Sequence, residues 1–254
     1  MIIDERTYQE IYNELNRYED IDRLASKYNY YDRELFLVIF TQKQIRDVTS
    51  KFHKIKNKAD KLTKEWRSGK SFLKISEEID YPPVMAAYII VTNMEYGKKS
   101  FRKMLNNPEK IKNQRMRREI EKVRMKDPIY SPEGYEVQRK RGVWGEERLK
   151  LWLDEHGVEY EREEDLRSLG GKTPDFLLKE PVYFRGEKIV WIESKASFGD
   201  QREVRKNLSK QLESYLEIFG PGMVIYWFGI LDSLPVMEGI VIETEEVLRD
   251  HWDF

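Results

Sequence analysis

The amino-acid sequence predicts an α/β protein in which an all-helical N-terminal region precedes a domain with a mixed β-sheet. Apolar residues recur at helical spacing through the first half of the 254 residues. In the second half, short apolar runs of strand length alternate with turns, and the run 223–228 is apolar throughout, as a central strand is. Helix-breaking residues lie between the two halves: Pro128, Pro132 and Gly134.

The change in pattern is accompanied by a change in charge. Residues 1–141 contain 31 Lys and Arg against 22 Asp and Glu, and the remainder contains 14 against 24. We therefore divide the chain into a helical region at 1–127, a linker at 128–141 and an α/β domain at 142–254. A basic region attached to an acidic one suggests that the basic part binds a polyanion such as nucleic acid.

Composition excludes several classes of function. The chain has no cysteine, which excludes disulfides, thiolate metal sites and a cysteine nucleophile. No apolar run approaches the length of a membrane span, and the N-terminus does not resemble a signal peptide, so we expect an intracellular, cytoplasmic protein that does not bind membranes. Charged residues make up 36% of the chain, with many Lys, Arg and Glu, a bias typical of thermophiles. We expect a prokaryotic, thermophilic source.

The helical region contains two candidate helix-turn-helix units. In the first, a short helix and a longer one flank a turn at Asn29-Tyr30-Tyr31, and a unit of the same outline lies between Phe72 and Val91. Dispersed Lys and Arg favour contacts with phosphates that do not depend on base sequence, and protein contacts are the alternative. Residues near the first recognition helix could make such contacts: Tyr30, Tyr31, Arg33, Lys43 and Arg46.

The second half predicts the order α β β β α β β α. The predicted elements are a helix at 143–156, strands at 158–162, 174–179 and 188–195, a helix at 203–219, strands at 223–228 and 240–242, and a last helical turn at 245–249.

Three charged residues lie at the ends of two neighbouring predicted strands. Glu193 and Lys195 are two apart in one strand and therefore point to the same face. Asp175 begins the preceding strand, so a hairpin would bring it close to Glu193. Two carboxylates at one position repel each other unless a cation lies between them, and oxygen ligands suit Mg²⁺ or Mn²⁺. The alternative is a simple acid–base pair at the end of a strand. The same acid-x-base spacing occurs elsewhere in the chain, at Glu65-x-Arg67.

A third carboxylate precedes these strands in the sequence. The helix at 143–156 is predicted to bury Leu149, Trp152, Leu153 and His156, and Glu146 lies on the same stripe. A glutamate on an inner helix face needs a partner, and a metal ion is one. The alternative is a glutamate that is favoured near a helix N-terminus by the helix dipole.

The set Glu146, Asp175 and Glu193-x-Lys195 resembles the PD-(D/E)xK nuclease superfamily, which has a restriction-endonuclease-like fold. Three longer stretches resemble the TPD-motif family in particular, whose animal member is the codanin-interacting nuclease. These stretches are Lys172-Thr173-Pro174-Asp175, Trp191 to Asp200, and Phe219 to Trp227.

The resemblance implies catalytic roles for Asp175, Glu193, Lys195 and Glu146. The metal ligands would be the carboxylates together with the backbone carbonyl of Ser194. Gln211 and Tyr215 resemble a QxxxY element that supports the site or contacts DNA in some branches of the superfamily. The alternatives are a core tyrosine and a solvated glutamine.

Basic residues on the same helix could follow a DNA backbone or could form a solvated helix face: Arg202, Arg205, Lys206 and Lys210.

The sequence thus predicts a divalent-metal-dependent DNA endonuclease, and the resemblance suggests branched or structured DNA as substrate. RNA is left open as an alternative substrate. The resemblance further implies a protein partner and, by analogy with junction resolvases, a homodimer. The alternative function is a DNA-binding or protein-binding platform on a nuclease scaffold with weak or no catalysis.

Overall fold

The computed structural model describes residues 1–94, 96–166 and 172–253. The chain forms two compact units: residues 1–40 with 140–254 make up one, and residues 41–139 make up the other. This division differs from the predicted linker at 128–141, because one helix runs from Pro132 to Glu155. Pro132 is the first residue of that helix, where a missing backbone N–H has no cost, so it begins the helix instead of ending one.

Among the described residues before Tyr160, the chain forms nine α-helices. They are α1 (Glu5–Glu14), α2 (Asp20–Lys27), α3 (Arg33–Lys56), α4 (Ala59–Arg67), α5 (Phe72–Glu78), α6 (Pro83–Asn93), α7 (Lys98–Asn106), α8 (Gln114–Lys126) and α9 (Pro132–Glu155). The pairs α2–α3 and α5–α6 have the helix, short turn and helix outline that the sequence predicts. That these pairs bind DNA stays a prediction.

The unit 41–139 is built around α6, which is apolar on most of its surface and whose Ala87 and Ile90 are fully buried. Phe72 from α5 and Ile120 from α8 belong to the same core. This unit contains 24 Lys and Arg against 13 Asp and Glu, a net charge of +11. The structural division therefore concentrates the positive charge more strongly than the predicted division does.

The other unit is organised around a mixed sheet, which confirms the predicted fold class. Its strands are β1 (Ile2–Ile3), β2 (Tyr160–Arg162), β3 (Phe176–Phe184), β4 (Glu187–Lys195), β5 (Gly222–Tyr226), β6 (Ile230–Leu231), β7 (Ile240–Thr244) and β8 (Trp252–Asp253). The order in the main sheet is β2-β3-β4-β5-β7, and β8 pairs with β3. Strands β2, β3 and β4 are antiparallel neighbours, whereas β5 runs parallel to both β4 and β7.

Both faces of the sheet are covered, which explains why every residue of β5 is buried. Leu149 and Leu153 of α9 pack on one face with Phe176. His156, which the sequence placed on this buried stripe, is instead exposed near the end of the helix, where its ring Nδ1 lies 2.7 Å from the Trp152 carbonyl.

The opposite face is covered by α11 (Gln201–Asn207), a π-helical turn at Leu208–Leu212 and α12 (Glu213–Phe219). The sequence predicts one regular helix over 203–219, and the structure inserts a wider turn in its middle. A short helix α10 (Glu163–Leu166) follows β2.

The N-terminal residues belong to this unit because β1 pairs in parallel with β6, with Ile2 opposite Ile230. Tyr8 on α1 stacks on Phe198, and its hydroxyl donates to Asp200, the residue that caps α11. Tyr8 is 4% exposed and Asp200 is also 4% exposed, so this anchor is buried.

Candidate active site

The predicted hairpin forms between β3 and β4 and brings Asp175 to Glu193. Phe176 pairs with Ile192, and Leu177 pairs with Trp191, so the residue before Phe176 lies beside the end of β4. The backbone N–H of Asp175 donates to Glu193 Oε2 at 3.2 Å. The backbone N–H of Ser194 donates to Asp175 Oδ2 at 2.8 Å. Each carboxylate is therefore held by the backbone of the other segment.

Lys195 completes the group on the same face of β4 as Glu193. Its Nζ donates to Glu193 Oε1 at 2.5 Å and to the side-chain oxygen of Gln211 at 2.9 Å. Glu193 is 2% exposed, whereas the Lys195 side chain is 18% exposed. The ammonium thus lies between a buried carboxylate and solvent.

Burial disfavours the charged form of both carboxylates of the hairpin. Burial raises the pKa of Glu193 to about 7, with a further contribution from the negative charge of Asp175, and Lys195 opposes this rise. Burial also raises the pKa of Asp175, against the hydrogen bond from Ser194 and the attraction of Lys195. One ammonium is thus insufficient to offset one buried and one partly buried carboxylate, and the site favours an additional positive charge.

Gln211 and Tyr215, which sequence reasoning left with two interpretations each, both contact the segment around the site. Gln211 lies in the π-helical turn and accepts from Lys195, so it supports the ammonium directly. Tyr215 is 1% exposed, and its hydroxyl donates to the carbonyl of Thr173 at 2.7 Å. Tyr215 therefore belongs to the core and also holds the segment that leads into Asp175.

Sequence reasoning missed the contact between Trp227 and Ser194. The indole N–H of Trp227 donates to the Ser194 hydroxyl at 2.7 Å, and its backbone N–H donates to the Lys195 carbonyl at 3.0 Å. Gly145 of α9 packs so closely here that an added Cβ would lie 2.5 Å from Trp227 Nε1. A glycine inside a predicted helix was the available sequence signal, but Gly142 in the same helix gives that signal without any close contact.

Among the described residues, the Glu146 side chain is hydrogen-bonded to Arg162 and not to the hairpin. Its side chain is 37% exposed, and its Oε2 lies 3.4 Å from a guanidinium nitrogen of Arg162. Burial and, secondarily, the charge of Asp175 raise the pKa of Glu146. Among the described residues no group of three or more His, Asp or Glu side chains is placed to hold a metal ion. The role of Glu146 as a catalytic residue and metal ligand stays a prediction.

The basic residues of α11 lie on its exposed side. Arg202, Arg205 and Lys206 are all exposed, and Lys206 Nζ donates to Glu203 Oε1 at 2.8 Å. Lys210 belongs to the following π-helical turn, and its carbonyl accepts from Lys172. That these side chains contact DNA stays a prediction.

The fold and the hairpin define the class of this protein. It is an α/β chain in which two carboxylates and one lysine meet where the central strand β4 of a mixed sheet ends. The chain belongs to the TPD sequence-motif family, whose model matches residues 112–246 and is described as a protein family of unknown function. The match includes α9, the hairpin, Gln211 and Trp227.

Several animal proteins are similar to this chain. It is 35% identical over 170 residues to the CDAN1-interacting nuclease 1 proteins of Mus musculus and Homo sapiens, which covers 64% of this chain and 60% of each relative. The Gallus gallus protein of the same name is 29% identical over 234 residues, which covers 85% of this chain and 82% of that protein. No solved structure matches the chain.

The relatives that match are from animals, and the prokaryotic, thermophilic source stays a prediction, as does the cytoplasmic location. Within the described ranges, none of the helices combines the length and the apolar character that crossing a membrane requires.

Proposed function

We propose that this protein is a divalent-metal-dependent DNA endonuclease that hydrolyses phosphodiester bonds in a site formed by Asp175, Glu193 and Lys195. The observation that carries the proposal is the group itself: two carboxylates cross-linked by backbone hydrogen bonds, with an ammonium that contacts one of them. A structural acid–base pair would need only one carboxylate. The second carboxylate adds a negative charge that one lysine does not neutralise. The relatives' designation as nucleases supports the same activity.

The residues present fit Mg²⁺ or Mn²⁺. Asp175 and Glu193 offer carboxylate oxygens whose pKa values are raised by burial, so a cation would relieve an existing electrostatic cost. The backbone carbonyl of Ser194 would be a further ligand, with Glu146 as an additional carboxylate. When bound there, the metal would supply Lewis-acid polarisation of the phosphate and a bound water of lowered pKa.

The chain's own residues orient the reacting groups. Lys195 has three N–H donors, and Glu193 and Gln211 occupy two of them. The third donor would be available for a phosphate oxygen or for the attacking water. The ammonium would stabilise the negative charge that develops on the phosphate. Tyr215 would keep Asp175 in position through the Thr173 carbonyl.

The proposed substrate is DNA, and branched or structured DNA in particular, with RNA as the alternative. The unit 41–139 supports a polyanionic substrate, because its net charge of +11 would attract phosphates. A homodimer, which would allow two strands to be cut symmetrically, is part of the proposal.

The alternative function is a DNA-binding or protein-binding platform on a nuclease scaffold with weak or no catalysis, and the relatives' name, CDAN1-interacting nuclease 1, supports a protein partner. We propose that this chain also binds a protein partner.

A cleavage assay tests the catalytic proposal. Branched, single-stranded and duplex DNA would be incubated with Mg²⁺ or Mn²⁺ and with the wild type, Asp175→Asn or Lys195→Ala. We expect each substitution to lower the cleavage rate by at least about 100-fold, because general acid–base and electrostatic contributions are of this size. The affinity of these variants for the same DNA, measured in the presence of a chelator, should change much less than the cleavage rate.

Matched controls come from the opposite end of the same strand. Glu187→Gln and Lys188→Ala remove the same charges from exposed positions of β4, and both variants should cut at the wild-type rate. If the wild type, Asp175→Asn and Lys195→Ala produce equal product, the catalytic proposal is wrong and the platform is favoured.

A further inference from the structure

The unit 41–139 contains a cavity of about 840 Å³. This volume is typical of sites for small ligands, which occupy roughly 300–1,000 Å³. Its described lining combines aromatic, thioether and ammonium groups, among them Trp66, Met94, Tyr96, Lys103, Lys110 and Lys112. The cavity thus provides an apolar surface next to several positive charges.

The charge of the lining favours an anion. Of the described residues that line the cavity, three are lysines and none is Asp or Glu. Helix α8, of 13 residues, begins beside the cavity with Asn113 as its N-cap, and its positive dipole end adds to the lysines. A second groove of about 410 Å³ in the same unit differs, because its lysines alternate with Glu65, Glu78 and Asp80.

Trp66 is held in one orientation in the cavity wall. Its ring stacks on Phe72 at 5.4 Å between centroids, and the Arg115 guanidinium lies 4.3 Å from the ring centroid. Because these groups cover the ring faces, Trp66 lines the cavity with its edge. Trp66 is 8% exposed, and its indole Nε1 has no hydrogen-bond partner among the described residues. Because this nitrogen is itself inaccessible, Trp66 contributes apolar ring atoms to the cavity wall.

We propose that this cavity binds an unpaired nucleotide of a DNA strand. The base would lie against Tyr96, Met94 and the edge of Trp66, and the adjoining phosphates would contact the lysines. Bases within a duplex are stacked and cannot enter such a cavity, so binding requires a single-stranded segment. This inference rests on the proposed function and deepens it: the substrate class becomes DNA that contains unpaired nucleotides.

The test compares two labelled DNA molecules on the full chain in a chelator, where no cleavage occurs. One is a blunt duplex, and the other is the same duplex with a single-stranded thymidine tail of about ten nucleotides. Fluorescence anisotropy gives both Kd values, and the ratio is the Kd of the blunt duplex divided by the Kd of the tailed DNA. We expect the wild type to bind the tailed DNA about tenfold more tightly, because stacking of one base contributes on this order.

Three variants identify the cavity as the cause. Ser100→Trp fills it without changing charge, and the pair K103E and K112E reverses two of its lysines. Both should lower the ratio to about one. The matched control is the pair K122E and K126E, which reverses two exposed lysines of α8 outside the cavity lining. This control should weaken binding of both DNA molecules and leave the ratio near tenfold.

Three results would overturn the inference: a wild-type ratio near one, a ratio that Ser100→Trp leaves unchanged, or equal effects of the two lysine pairs. A labelled peptide of alternating Glu and Tyr is the competing occupant. If Ser100→Trp abolishes binding of this peptide and retains the preference for the tail, the cavity binds a protein segment instead. The assay measures binding without metal. Loss of the preference for the tailed DNA would therefore leave the nuclease proposal intact. The preference can also be measured if the site has no nuclease activity.

Discussion

The Oδ2 atom of Asp175 accepts a hydrogen bond from the backbone N–H of Ser194, 2.8 Å away on the neighbouring strand. This bond makes Asp175 both a charged group of the site and a part of the hairpin. The same backbone segment carries the Ser194 hydroxyl, which accepts from Trp227. Substitutions near the site will therefore alter stability as well as activity.

Gly145 and Gly142 on α9 should respond in opposite ways to alanine. A Cβ at position 145 would lie 2.5 Å from Trp227 Nε1 and 3.1 Å from the Ser194 hydroxyl, whereas one at position 142 has no atom within 4 Å. We expect Gly145→Ala to lower the free energy of unfolding by about 1–3 kcal/mol and to slow cleavage. Gly142→Ala should raise it by about 0.5–1 kcal/mol. Chemical denaturation measures both, and equal effects would contradict the close packing.

Gln211 should act on the orientation of Lys195. In Gln211→Ala the ammonium loses one of its two acceptors, and the other acceptor, Glu193, draws it into the site. We expect kcat to fall about tenfold with little change in KM, because the lost contact orients a reacting group. Ser209→Ala, an exposed position in the same turn, is the control. A Gln211→Ala variant with wild-type kcat would show that this bond does not position Lys195.

The stability of the site should decrease as pH rises. In the folded chain the pKa of Glu193 is about 7, above its ordinary value of 4.5, so folding favours the protonated form. The resulting stabilisation is complete below about pH 4.5 and is lost as pH rises through about 7. In a chelator, the wild type should lose about 3 kcal/mol relative to Glu193→Gln as pH rises through this range. Urea denaturation across this range measures the difference.

Glu187→Gln is the control for that measurement, because position 187 is exposed on the same strand. Its stability should follow that of the wild type at every pH. A constant difference between the wild type and Glu193→Gln would show that folding does not raise the pKa of the Glu193 carboxyl.

Asp127 should be important for the stability of the unit 41–139. It is 2% exposed, and its two oxygens accept from the backbone N–H groups of Val84, Ile129 and Tyr130 at 2.8–3.1 Å. We expect Asp127→Ala to lower the free energy of unfolding by about 2–4 kcal/mol, because several backbone donors lose their acceptor. Calorimetry on the full chain measures this loss. Glu77→Ala, which removes an exposed carboxylate from α5, should change stability by less than about 0.5 kcal/mol.

The sequence was sufficient to predict that Asp175, Glu193 and Lys195 lie together. Successive residues of a strand alternate between faces, so Glu193 and Lys195 had to share one. The turn near Gly186 made 174–179 and 188–195 neighbours, and the hairpin then brought Asp175 to Glu193. These are short-range relationships along the chain, which local patterns can predict. The mixed sheet and the run of N-terminal helices were predicted from the same kind of pattern.

The division into units could not be predicted from local patterns. Ile2 pairs with Ile230, and Tyr8 bonds to Asp200, although nothing in the sequence near either residue indicates its partner. The helices on both sides of residue 140 join into one, because Pro132 begins α9 and Gly142 continues it. A proline-rich stretch between two patterns was therefore the start of a helix and not a linker.

The amino-acid sequence by itself determined which residues meet at the hairpin and where the apolar helix faces lie, because strand and helix periodicity are properties of the local backbone. The tertiary structure alone decided which further side chains complete the site. A π-helical turn brings Gln211 to Lys195 and Trp227 reaches Ser194, whereas Glu146 pairs with Arg162 and does not join them. These contacts depend on the packing of elements distant in sequence, and their geometry is established only when the sheet and its covering helices assemble.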